Sequence, residues 1–158
     1  MRRMVASLST RLHSNGISTK TIDLFDLVLE ELANKNYLDD LIENETTFTK
    51  DQLLETLRNF SDPKRHLVPQ LVRKLSENAQ QLTLITGSGR VFPFLRTHSL
   101  LESLQPAISR HPLVIFFPGD YQQEPNSGSH LRLFGSIPLP VIGNAYYRAL
   151  NLMDYKLG

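Results

Sequence analysis

The sequence contains no cysteine. That excludes disulfides, cysteine nucleophiles and thiolate metal sites, and it suits a reducing cytoplasm, where the protein is expected to work. Net charge is nearly absent as well. Seventeen Lys and Arg against sixteen Asp and Glu leave +1, too little for a global field that draws a chain onto nucleic acid or an anionic membrane. No apolar run approaches the roughly 18 residues that a membrane-spanning helix needs, so no membrane partner is expected. The five histidines, His13, His66, His98, His111 and His130, are scattered without metal-ligand spacing. No serine lies in a nucleophile-elbow pattern. These gaps leave no metal site, no cofactor and no catalytic residue to assign.

What is present is a core. Hydrophobic residues make up 41% of the 158, which suits one folded domain spanning residues 1–158. The basic start, Met1-Arg2-Arg3-Met4, has no apolar stretch behind it, and the first acid is Asp23. It distantly resembles a transit peptide but reads better as an amphipathic helix over about residues 2–14. Met4, Val5, Leu8 and Leu12 recur at helical spacing and Gly16 can stop the helix. A short strand at Thr19–Phe25 follows. No strand precedes the helix, so either the sheet begins at residue 19 or an N-terminal strand is lacking.

Helices are expected next. Leu27, Leu29, Leu32, Tyr37, Leu38, Leu41 and Ile42 are the apolar positions, interrupted at Asn34–Asn36. Thr49 with Gln52 makes a capping box. Asp62-Pro63 starts another helix, which Pro69 should kink or restart. The pattern then changes. Leu82–Thr86 and Leu113–Phe117 are continuous apolar runs suited to strands covered on both faces, and Phe92–Ile108 between them reads as a helix. Strand, helix and strand in this span form a βαβ unit with parallel strands. Tyr121–Ser129 reads as a polar surface loop, Leu131–Phe134 as a short strand, and a last helix should start near Asn144. The fold class is therefore α/β, with a mostly parallel sheet covered by helices.

Two glycine-bearing loops follow the apolar strands. Gly87-Ser88-Gly89-Arg90 lies where backbone N–H groups and a helix start can hold an anion. It lacks the Gly-Lys-Ser/Thr of a P-loop and the third glycine of a dinucleotide site. The structural alternative is a tight turn needing positive φ at its glycines. Arg90, Arg96 and His98 cluster near the helix start. Asp120, in Pro118-Gly119-Asp120-Tyr121, stands at the second strand's end, where parallel sheets place ligands. Asp120 can pair with an arginine of this cluster, and Arg96 is the partner we favour. Gly87, Gly89, Arg90, Arg96, His98, Asp120 and Tyr121 are thus candidates for ligand or partner contact. Tyr146, Tyr147 and Arg148 are interface candidates, since Tyr and Arg suit hot spots. Lys64-Arg65-His66 and Arg73-Lys74 form a basic face, read as solvated, with direct nucleic-acid contact as the other reading.

Ile22–Leu27, Thr86–His98, Leu104-Gln105, Phe116–Tyr121, Leu131–Gly135 and Tyr146–Ala149 together resemble, in order, the successive motifs of the BrxB family, small proteins of BREX bacteriophage-exclusion systems. The resemblance covers nearly the whole chain. The family usually opens with a further strand and a Pro-Tyr-Asp-Pro-like segment, and this chain resembles the family from just after it. Asp120 stands where the family usually has a glutamate, and Ala145 separates Asn144 from the tyrosines. The resemblance implies a bacterial cytoplasmic defence component encoded beside an alkaline-phosphatase-like PglZ protein, an ATPase and a DNA methyltransferase, with DNA reached indirectly. It implies no established catalytic residue. The reading it favours is a non-enzymatic adaptor contacting a PglZ-like partner. The rival is a nucleotide- or phosphate-binding enzyme using Gly87–Arg96 and Pro118–Tyr121.

Overall fold

The first helix and the first strand begin where the apolar spacing places them. In the computed structural model, which describes residues 2–77, 80–106, 108, 111–124, 128–134, 137–138 and 151–152, helix α1 (Arg2–Ser14) ends at Gly16. There φ is +79° and the Gly16 N–H closes onto the His13 carbonyl at 3.0 Å. Strand β1 (Thr19–Asp23) follows and hands directly to α2 (Leu24–Asn34). The strand is shorter than the expected Thr19–Phe25 because Asp23 is already the N-cap of α2, its carboxylate accepting from the Phe25 N–H at 2.9 Å.

Helices α3 (Leu38–Glu43) and α4 (Lys50–Phe60) come next, and α4 carries the full Thr49–Gln52 capping box. At Asp62-Pro63 the chain enters a π-helical turn over residues 63–67 before α5 (Val68–Ser76). Pro69 explains the restart. It has no N–H to donate back one α-turn, so the bonds slip to i−5, as in Val68 N–H to the Pro63 carbonyl.

Strands β1, β2 (Leu82–Thr86) and β3 (Leu113–Ile115) make a parallel sheet in that order, with Asp23 opposite Thr86 and Ile85 opposite Ile115. Among the described residues β1 is an edge with a strand on one side only. Central β2 is buried on both faces, as its unbroken apolar run requires. Its one mid-strand hydroxyl, on fully buried Thr83, is satisfied by His111 Nε2 at 2.9 Å. Leu24, Leu27, Val28 and Leu32 of α2 meet Leu67, Leu71, Ile85, Leu100 and Leu104 in the main apolar cluster.

Two sequence expectations change. Helix α6 spans only Thr97–Leu104, not Phe92–Ile108. Pro93 and the restriction it places on Phe92 keep residues 91–95 in turns. The expected loop at Tyr121–Ser129 is mostly hairpin. Strand β4 (Gly119–Glu124) pairs antiparallel with β5 (Gly128–Leu133), which pairs with β6 (Ile137–Pro138). Its polar residues hid it, because a backbone ladder forms without an apolar alternation. The sheet content is thus half parallel and half antiparallel among the described residues. The expected helix near Asn144 lies outside them.

Candidate functional site

The carboxyl ends of β1, β2 and β3 converge with the loops that follow them, and the site is built there. Asp23 leaves β1 beside Thr86, whose hydroxyl donates to Asp23 Oδ2 at 3.3 Å. Arg90 Nη2 then donates to Asp23 Oδ1 at 2.8 Å and to Asp26 Oδ1 at 2.9 Å. The guanidinium also lies over the Phe25 ring, 4.7 Å from its centroid. One cation therefore clamps the first turn of α2 to the loop after β2.

The glycines serve this clamp in different ways. Gly87 has φ +82°, and a Cβ there would stand 2.9 Å from Asp23 Cγ and 3.1 Å from the Leu24 nitrogen. Its carbonyl accepts from Arg90 N–H at 2.9 Å and from Val91 N–H at 3.3 Å, which turns the loop back on itself. Gly89, by contrast, does not adopt the positive φ expected of both glycines. Only the first needs it. Gly89 is small because a Cβ would come within 2.8 Å of Pro118 Cγ and 3.4 Å of the Phe134 ring. Buried Ser88 donates to the Phe116 carbonyl at 2.8 Å.

The two glycine-bearing loops are thus neighbours, as the parallel strands demand, but different groups tie them together. The expected Arg96–Asp120 ion pair does not form. Both residues are exposed, and among the described residues neither makes a salt bridge. Asp120 lies on β4, cross-strand from Arg132. The hairpin, unseen in the sequence, carries it off the strand end. Tyr121 follows it on the same strand. Arg96 lines an open cavity of about 330 Å³ with Arg58, Ser61, Asp62, Phe94 and Ser99. Tyr146, Tyr147 and Arg148 lie outside the described residues.

His98 opens α6 beside Arg96, with Nδ1 buried and without a hydrogen-bond partner among the described residues. Burial lowers its pKa below the usual 6.5; Glu102 opposes this and Arg96 adds to it. Above pH 6.5 the ring is neutral whether folded or not. As pH falls through 6.5 the unfolded chain takes up a proton that the folded chain resists, so stability falls until the lower folded pKa is passed. Urea unfolding from about pH 8 to about pH 5 should show this loss, and His98→Gln should flatten it. An unchanged pH slope in the variant refutes the assignment.

The basic face is paired in part, with Lys64 and Arg65 exposed and in no salt bridge among the described residues. Lys74 pairs with Glu30 at 2.7 Å, Arg73 with Glu77 at 4.0 Å, and His66 with Glu31 at 2.9 Å. Among the described residues no group of three or more His, Asp or Glu side chains is placed to hold a metal ion. No helix among them is long and apolar enough to cross a membrane. Chemically, the strand-end loop presents a committed cation: Arg90 already serves two carboxylates. Sequence reasoning missed Asp23, Asp26 and Phe25 as its partners, and Ser88 as the tie to Phe116. The available signal was the parallel register, which sets the end of β1 against Thr86-Gly87.

A family model described as "BREX protein BrxB" matches residues 20–152. A BREX protein BrxB of Bacillus cereus (strain H3081.97) is 31% identical over 158 residues, covering 98% of this chain and 77% of the relative. Another, of Escherichia coli O9:H4 (strain HS), is 26% identical over 133 residues, covering 84% of this chain and 61% of the relative. No solved structure matches the chain. The segments Ile22–Leu27, Thr86–His98 and Phe116–Tyr121, which carry the resemblance to this family, meet at the clamp.

Proposed function

The chain belongs to the BrxB family, and from that premise we propose that it acts in BREX phage defence as a non-enzymatic adaptor contacting a PglZ-like protein. The observation that carries this reading is the commitment of Arg90 to Asp23 and Asp26. The loop that most resembles a phosphate cradle spends its cation on holding two chain segments together. A loop so braced suits a fixed surface for a partner better than a pocket that must accept and release a charged substrate.

The contact surface proposed is the exposed rim of that region, with Arg96, Asp120 and Tyr121 as contacts, His98 beside them, and Gly87, Gly89 and Arg90 setting their positions. Tyr146, Tyr147 and Arg148 are proposed as a further contact patch. The ATPase and methyltransferase of the same system are proposed as indirect partners, and DNA is reached through them. The cytoplasm is the proposed compartment.

Co-purification with the PglZ-like protein of its own system, followed by calorimetry on the isolated pair, tests the reading. A stable complex is expected. Arg96→Glu should weaken it by about tenfold or more, since reversing an interface charge adds repulsion. Its effect on stability should stay within about 0.5 kcal/mol, because Arg96 is exposed and unpaired among the described residues. Failure of the intact pair to associate overturns the adaptor reading. Full affinity in the variant removes Arg96 from the interface.

A further inference from the structure

We infer that the chain self-associates, the outer face of α1 in one copy docking on the acidic face that α3 and α4 present on another. Neither α3 nor α4 buries a single residue. Leu57 and Phe60 of α4 pack on the core, but Leu41, Ile42, Phe48, Leu53 and Leu54 do not join that cluster. Ile42 is 61% exposed. Leu41, Phe48, Leu53 and Leu54 are half-buried, so Ile42 is the large apolar side chain that this segment leaves in solvent.

The surroundings of Ile42 select its occupant. Residues 38–55 hold six acids, Asp39, Asp40, Glu43, Glu45, Asp51 and Glu55, against the single cation Lys50, a net of −5. Since the whole chain is +1, the remainder is +6. All six acids are exposed, and none forms a salt bridge among the described residues. Asp39, Asp40 and Asp51 sit in the first turns of α3 and α4, where the helix dipole favours them, but no cation among the described residues pairs with any of the six. An exposed apolar side chain among acids without a paired cation fits a basic helix that exposes an apolar side chain of its own.

The chain itself carries such a helix. No acid precedes Asp23, and α1 exposes Arg3, Met4, Ser7 and Arg11 at spacings of three, four and seven, which place them along one side. Met4 is 58% exposed. The other basic helix is less suited, because Arg73 and Lys74 of α5 already face Glu77 and Glu30. Charge complementarity between two faces of the same chain thus points to a second copy as the occupant.

Sedimentation equilibrium on the 158-residue chain tests this directly. The weight-average mass should rise above the monomer value of 18.0 kDa as concentration increases at low salt. The association constant should fall roughly tenfold or more in high salt, as exposed charges are screened. Asp39→Lys with Glu43→Lys should leave a monomer, and so should Arg3→Glu with Arg11→Glu. These residues are exposed, and circular dichroism should confirm that each variant is folded. Mixing the two charge-reversed pairs in one chain should restore association. A wild-type chain that stays monomeric at high micromolar concentration and low salt overturns the inference. So does association that survives either reversal, or a combined variant that fails to recover.

Discussion

Gly87→Ala should lower stability by roughly 2–5 kcal/mol, with two separable causes. A left-handed φ costs an alanine about 1–2 kcal/mol, and an intruding methyl in a packed site costs about 1–3 kcal/mol more. Both apply, since φ is +82° and the added carbon would press on the Asp23 carboxylate and the start of α2. Gly16 provides the control. It shares a positive φ, +79°, but nothing lies within 4 Å of its missing Cβ. Gly16→Ala should therefore lose only the conformational part, about 1–2 kcal/mol. For a chain of this length Tm should fall by about 5–15 °C in the first variant and by about half as much or less in the second. Equal losses at the two positions defeat the steric half of the argument.

That comparison shows what the sequence could and could not disclose. Positive φ at Gly87 was legible, because a glycine after a buried strand and before a helix is a turn signal. So were α1, β1, β2, the capping box at Thr49 and the restart at Pro69, each encoded in a few adjacent residues. The crowding at Gly87 was not legible, since its neighbour Asp23 lies far away in sequence and meets it only through β1–β2 pairing. Arg90 shows the same limit. Its charge suggested a partner, but the nearest conspicuous acid along the βαβ unit, Asp120, was the wrong one. Two acids on α2's first turn are closer in space. The β4–β5 hairpin was hidden for a different reason. Backbone pairing needs no apolar alternation, and Gln122, Gln123 and Ser129 supply none.

The same geometry bears on function. Three distant stretches of sequence that resemble family motifs converge on one clamp, and the clamp joins structural elements. Ser88 fastens the loop after β2 to Phe116 just beyond β3, Arg90 fastens it to α2, and Gly89 lets Pro118 approach. Motif residues so arranged account for their own presence through folding. The residues left over for recognition are those the clamp does not use, Arg96 and Asp120 among them. Their exposure makes them substitutable without unfolding the protein, which is the property a partner-binding test requires.

Asp23→Ala should cost on the order of 2–4 kcal/mol, because one side chain performs three tasks. It caps α2, worth about 1 kcal/mol. It accepts from Thr86 and from the Arg90 guanidinium, and hydrogen bonds to charged groups contribute about 1.5–3 kcal/mol each when shielded. The Arg90 part must be discounted, since its side chain is 42% exposed and water can replace the lost carboxylate. Asp23→Asn separates the tasks. An asparagine caps as well as an aspartate but carries no charge for Arg90, so about half the loss should return. The decisive measurement is the double variant. With the Asp23 carboxylate gone, the methyl of Gly87→Ala loses its nearest obstacle, and only the φ penalty and the Leu24 nitrogen contact remain. The second substitution should then cost less in the Asp23→Ala background than in the wild type, with a coupling of about 1–2 kcal/mol in denaturant titrations. Strict additivity means that the Asp23 carboxylate does not crowd a side chain at position 87.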